Sequence, residues 1–158
     1  MRSLITRIDS VLIPWLRRWS LPVLRVSLGV VFVWFGALKV FGVTPVFDLV
    51  ASTVYWVDPG WFVPALGVAE IAIGIGLMGG WLLRWVLLAF VLQMAGTALV
   101  FVTLPEVAFQ DGNPLRLTVE GEFVVKNLVL LGAGLVVGAT IEPKGPEAAT
   151  GKRQAPVM

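Results

Sequence analysis

The 158-residue chain contains no cysteine and no histidine. The first absence removes disulfides, thiolate nucleophiles, CxxC redox pairs and cluster ligands, and the second removes the usual haem and zinc ligands. Redox chemistry would have to rest on a bound organic cofactor or on a partner subunit, and no metal site is expected. Charge is also scarce: 14% of residues are charged against 58% hydrophobic, with a mean hydropathy of +0.90. A soluble domain of this length covers itself with polar side chains, whereas apolar runs of about 20 residues recur here and would leave that surface bare. A pI near 9.4 invites a nucleic-acid reading, but the net charge is only +2. The basic residues sit mostly beside apolar segments, so they read as topology signals rather than phosphate contacts.

What remains predicts an all-α integral membrane protein, a four-transmembrane-helix bundle preceded by an interfacial amphipathic helix. In residues 1–20, Leu4, Ile5, Ile8, Val11, Leu12, Trp15 and Trp19 recur at roughly helical spacing among Arg2, Arg7, Arg17 and Arg18. That pattern suits a helix lying along the headgroup layer. A secretory signal peptide is the rival reading. It is disfavoured by Asp9, Pro14 and the Arg17-Arg18 pair, which interrupt any apolar core, and no small-x-small cleavage site follows. The transmembrane domain occupies 21–140, with spans over about 21–41, 61–79, 82–104 and 123–140. The first is entered through Ser20 and Pro22. Thr44 and Pro45 then cap and start a short helix reaching Trp56, closed by the turn Asp58-Pro59-Gly60, while Gly79-Gly80 turns tightly and Pro105 stops the third span. The tail over 141–158, rich in Pro, Gly, Ala and charge, is expected to be disordered. The basic residues concentrate in the N-terminal arm, at Arg84 and in the tail. The other two connections hold Asp48, Asp58, Glu106, Asp111, Glu120 and Glu122 against Arg116. Both termini are therefore expected in the cytoplasm of a cell whose inner, plasma membrane holds the protein.

Polar residues inside the spans are the candidates for chemistry. Arg25, Gly29, Phe32, Gly36 and Lys39 share one face of the first helix. A charge near the bilayer centre costs at least roughly 2.5 to 3.5 kcal/mol, and glycines admit a neighbouring helix, so this face should point into the bundle. The bland alternative is that Arg25 and Lys39 snorkel to headgroups from the helix ends. Glu70 lies nine residues past Trp61, about 13 Å into the second span, too deep to reach water along its own helix. Such a carboxylate has to be paired, hydrogen-bonded or protonated, and Gly67 and Gly74 on its face admit a close neighbour. Lys39 and Lys126 are its expected partners, giving a Lys39, Glu70 and Lys126 cluster; the alternative is an ion pair that only fixes helix register. Gln93 could join by hydrogen bond or serve as helix glue. Trp34, near Gly36 and Lys39, is placed to line a pocket for a flat ring, while the other tryptophans read as interfacial anchors. Arg25, Trp34, Gly36, Gln93 and Glu122 are thus candidates for lining or supporting a ligand pocket.

The run Leu24-Arg25-Val26-Ser27 followed by Phe32-Val33-Trp34-Phe35-Gly36-Ala37-Leu38-Lys39 resembles the first helix of DoxX-like membrane proteins, with the YkgB/RclC branch nearest. Gly67-Val68-Ala69-Glu70 is similar to that branch's second-helix motif. Thr103-Leu104-Pro105-Glu106 resembles the end of its third helix, and Gly121-Glu122-Phe123-Val124-Val125-Lys126-Asn127 the start of its fourth. The likeness runs from about Leu21 to Gly138. It implies a bundle associated with redox homeostasis: sulfur-compound oxidation coupled to quinone for DoxX-type proteins, resistance to reactive chlorine species for the RclC branch. Three functions stay open. The chain is a redox-associated subunit binding quinone or a similar apolar ligand between helices, with no intrinsic cofactor. Its redox chemistry would then need a redox partner subunit. Otherwise it is a small proton-coupled transporter using Glu70, or a purely structural accessory subunit of a larger membrane complex. The lipid bilayer is a partner in each case.

The charge segregation sets the first prediction. A reporter fused behind the tail should be active only in the cytoplasm, and one inserted near Asn113 only outside. Identical behaviour of the two fusions would mean that the last apolar segment does not cross.

Overall fold

A computed structural model describes residues 2–141, with side chains from residue 8 onward. Seven helices account for most of it: α1 (Arg2–Val40), α2 (Phe47–Thr53), α3 (Pro59–Gly79), α4 (Leu83–Ala98), α5 (Val100–Thr103), α6 (Pro105–Ala108) and α7 (Val119–Gly138). Four stretches are long and apolar enough to cross a membrane: Ile8–Val40, Pro59–Gly79, Leu83–Thr103 and Val119–Gly138. Among the described residues the only β pairing is an isolated bridge between Phe109 and Leu117. The expected disordered tail lies, from residue 142, outside the described residues.

Local chemistry explains most helix boundaries. Pro59 occupies the first turn of α3, and the Asp58 carboxylate caps it by accepting from Gly60 N at 2.9 Å, so Asp58-Pro59-Gly60 starts a helix rather than closing one. Gly80 adopts the left-handed conformation that ends α3, φ 71°, and its N–H donates to the Gly76 carbonyl. Thr118 caps α7, accepting from Gly121 N at 3.1 Å. The last helix therefore begins four residues before the expected 123, with Glu120 and Glu122 in its first turn, where the helix dipole favours acids. The short helix α2 starts after Val46 without a side-chain cap, so Thr44 does not cap it.

One expectation needs correcting. The arm over 1–20 and the span entered through Ser20 and Pro22 are not separate helices but one 39-residue helix with Pro14 and Pro22 inside it. Each proline removes a single donor, and the apolar, helix-favouring sequence on either side continues the ladder past it. At 1.5 Å per residue α1 is about 58 Å long, roughly twice a hydrocarbon core, so only about half of it fits across one. Ile8 through Ser20 are all exposed.

The spans form a ring. By far the most extensive pairing is α1 with α3; α4 packs on α3 and α7, and α7 closes back on α1. Glycine makes the first pairing possible. A Cβ on Gly36 would lie 2.5 Å from the Gly67 carbonyl oxygen and one on Gly67 2.6 Å from that of Gly36. Gly74 meets Gly29 in the same way, at 2.6 Å. The antiparallel backbones thus touch twice, which fixes their register. Leu28, Phe32, Ile73, Leu77, Phe90 and Val137 pack into one apolar cluster. At its centre the Phe90 ring lies 5.2 Å from that of Phe32 and over Gly134, where no side chain intervenes. A second cluster, of Val100, Ala108 and Val124, lies toward the α2 end of the ring.

Overpacking tests the glycine contacts. Gly36→Ala and Gly74→Ala should each destabilise the bundle by about 1–3 kcal/mol. Gly96→Ala and Gly132→Ala, where an added methyl meets nothing within 4 Å, should leave thermal unfolding in detergent unchanged or slightly raised.

Candidate functional site

The face of α1 that carries Arg25, Gly29, Phe32, Gly36 and Lys39 does turn inward. Gly29, Phe32, Gly36 and Lys39 are buried and Arg25 half-buried. The register of the glycine pairs places Val40 beside Val63, about one turn inside the start of α3 at Pro59. A lysine so near a helix end has an outward route to headgroups. Lys39 takes the inward one, because helical side chains lean toward their own N-terminus, here toward the bundle centre. Its Nζ donates to Glu70 Oε2 at 2.6 Å, with both side chains under a tenth exposed. The other carboxylate oxygen, Oε1, accepts from Gln93 Nε2 of α4 at 2.7 Å. Three of the four spans therefore meet at one carboxylate.

The remaining candidates separate. Lys126 is not in this cluster: its side chain is 74% exposed and stands 3.7 Å from Glu122, itself 59% exposed, as an i,i+4 pair on the outer side of α7. The reason is angular. Asn127 is aligned with Gly134, seven residues on, and Lys126 is turned about 100° away from it. Trp34 is 66% exposed and points away from the bundle, so it lines no pocket. Gly36 serves the α1–α3 contact rather than a ligand. Arg25 caps the far end of α3, donating through Nε to Leu77 O at 3.1 Å and through a terminal nitrogen to Met78 O at 3.2 Å. A cation at a helix C-terminus suits both the orphan carbonyls and the dipole.

Beside the Lys39, Glu70 and Gln93 contact is a cavity of about 670 Å³. All four spans and α2 contribute walls. Phe32 and Phe35 come from α1, Leu49 and Val50 from α2, Leu66 from α3, Met94 from α4, and Phe123, Val124 and Leu130 from α7. Lys39, Glu70, Gln93, Thr53, Thr97 and Asn127 are polar points in this apolar lining, with Lys126 at its rim. Both threonine hydroxyls are spent on backbone carbonyls, Thr53 on Leu49 and Thr97 on Gln93. A shallower cavity of about 510 Å³, bearing Asp48, Ser52 and Glu120, adjoins it and shares Val46, Leu49 and Phe123 as a common wall. Sequence reasoning did not reach Asn127 as a lining residue. A signal for it existed in its spacing of seven from Gly134, the glycine against which the core packs.

A ring of helices long and apolar enough to cross a membrane, around an apolar cavity with a compensated charge pair on its wall, defines a multi-pass membrane protein. The chain belongs to the DoxX family: the family model of that name matches residues 20–103, which takes in Lys39, Glu70 and Gln93. No curated protein and no solved structure matches it.

The pairing predicts an asymmetric stability response in detergent. Lys39→Met should cost about 3–5 kcal/mol by stranding a buried carboxylate, and Lys39→Met/Glu70→Leu should recover most of that loss. Lys126→Ala should change stability by less than about 1 kcal/mol, as expected for an exposed pair.

Proposed function

We propose that this DoxX protein binds a neutral, largely apolar ligand with carbonyl acceptors, of the quinone class, in the cavity between its spans, and serves as a redox-associated subunit of the inner membrane. The observation that carries the reading is the lining. Apolar walls surround polar groups whose formal charge cancels, Lys39 against Glu70. An uncompensated ionic ligand would suffer in so dry a site, whereas a neutral one is accepted. The Lys39 ammonium has three donors and spends one on Glu70. The two that remain favour a ligand oxygen that accepts. Gln93 likewise keeps a second amide hydrogen.

The same pairing weighs against a carrier carboxylate. Both oxygens of Glu70 are engaged by Lys39 and Gln93, so the group is a fixed counter-ion that aims a lysine. With no thiol, imidazole or metal cluster in its sequence, the chain would exchange electrons only through its ligand and a partner subunit. The narrower likeness to the YkgB/RclC branch and the placement of both termini in the cytoplasm belong to this proposal.

Extraction from native membranes into polymer-bounded discs tests it. Co-purifying quinone should be found at near-stoichiometric amounts with the parent protein and be depleted about tenfold or more in Lys39→Met, the loss of one charge-assisted hydrogen bond. An extract in which quinone tracks bulk lipid rather than protein overturns the reading.

A further inference from the structure

We infer that Asn127 is a second ligand anchor, and that the cavity is shaped for a ring carrying two acceptors on opposite sides rather than for a ligand with one polar end. This rests on the pocket reading above and adds to it a residue, a spacing and a specificity.

Asn127 lies eight residues into α7, about 12 Å along it, in a stretch that is otherwise apolar apart from the outward Lys126. It is half-buried and lines the cavity, yet no group among the described residues hydrogen-bonds its amide. A carboxamide has two donors and an acceptor carbonyl, and leaving them unmet at membrane depth is costly. Every other intramembrane polar side chain on the wall has a partner: Lys39, Glu70 and Gln93 one another, Thr53 and Thr97 the backbone. Its amide atoms are accessible rather than sealed, and they stand on the cavity wall, so the cavity's occupant is placed to meet them.

The levels of these groups can be ordered from contacts. Phe90 of α4 sits over Gly134 of α7, so those two residues are at one depth. Gln93 is three residues further along α4, about 4.5 Å toward the α2 end. Asn127 is seven residues before Gly134 along α7, about 10 Å in the same direction. The Asn127 backbone thus marks a second tier, about 6 Å beyond that of Gln93, which meets Glu70 and through it Lys39, and because side chains on these antiparallel helices lean toward their own N-termini the two amides stand further apart than that. A ligand lying along the cavity meets a cationic donor at one tier and a neutral donor at the other. A 1,4-dicarbonyl ring presents one acceptor to each. A lipid ester or a simple ketone occupies only one.

The test uses the full chain in lipid nanodiscs with decylubiquinone, carbon-13 labelled at one ring carbonyl or the other. The parent protein should show two carbonyl stretches shifted to different extents, the larger shift arising at the ammonium. Asn127→Ala should return the less shifted band to its unbonded position and weaken binding roughly two- to tenfold, the loss of one neutral hydrogen bond. Its ligand-free melting temperature should match the parent's. Leu128→Ala, at an exposed position of α7 that does not line the cavity, should leave both bands in place. Should Asn127→Ala keep both bands and the parent affinity, the second anchor does not exist and the pocket reading stands. A lowered ligand-free melting temperature in Asn127→Ala would likewise overturn the inference, by showing that the amide serves the fold. Failure of the parent protein to bind decylubiquinone removes this inference together with the pocket reading.

Discussion

Two helices bring their backbones into contact only where both lack a side chain, and α1 and α3 do so twice, at Gly36 against Gly67 and Gly29 against Gly74. In a bilayer the lipid tails are as apolar as any leucine, so close packing of this kind, rather than escape from water, holds helices together. The remaining geometry depends on it. Two contacts seven residues apart leave the pair no freedom to slide, and the register they impose puts Lys39 within reach of Glu70. A small shift would leave a carboxylate and an ammonium separately exposed to hydrocarbon. The ion pair is thus a consequence of the glycine contacts and also a check on them, since sliding the helices would part the two charges. A buried pair of this sort adds little net stability but penalises the alternatives.

The bundle divides its labour along the membrane normal. At one end, Leu28, Phe32, Ile73, Leu77, Phe90 and Val137 fill the interior, with Phe90 occupying the space that Gly134 vacates. At the other end Val100, Ala108 and Val124 form a smaller cluster, backed by Leu49, Phe101, Leu104 and Phe109. Between them lies the cavity, to whose wall α2 adds Leu49, Val50 and Thr53. The larger cluster holds the helices in register, and the cavity lies between it and the smaller one. Lys39, Glu70 and Gln93 lie where the two regimes meet. Such a site is held rigidly by its scaffold while the short segments above it, α2 and the 105–118 connection, make fewer contacts with the ring.

Several features could be read from residue order because they depend on short-range periodicity. The four spans follow from apolar runs, the inward face of α1 from the spacing of Arg25, Gly29, Phe32, Gly36 and Lys39, and the depth of Glu70 from its distance past Trp61. Errors arose where the answer depended on which way a helix is turned. Lys126 was expected beside Glu70 and Trp34 on a pocket wall near Gly36 and Lys39, but Trp34 faces away from the bundle and Lys126 stands at the cavity rim, 74% exposed. Lys126 takes a neighbour one turn back on its own helix, Glu122. A helix that is apolar on every face has almost no asymmetry from which to read rotation, and α3, α4 and α7 are of that kind. The prolines of α1 misled for a related reason: they signal a break locally, but a long apolar helix absorbs them.

The amino-acid sequence by itself determined the solvent of this protein, the number of its crossings, the exclusion of thiol, imidazole and cluster chemistry, and the need of Glu70 for a partner. All of these are set by composition, by segment length against bilayer thickness and by the cost of a lone charge in hydrocarbon. Only the tertiary structure decided which lysine answers that need, that Gln93 completes the contact, and that a cavity opens beside it with Asn127 on its wall. Those outcomes turn on the rotation and level of each helix. Contacts between residues on different helices set them, glycine against glycine for α1 and α3 and Phe90 against Gly134 for α4 and α7, and no run of residues along one chain segment encodes such contacts.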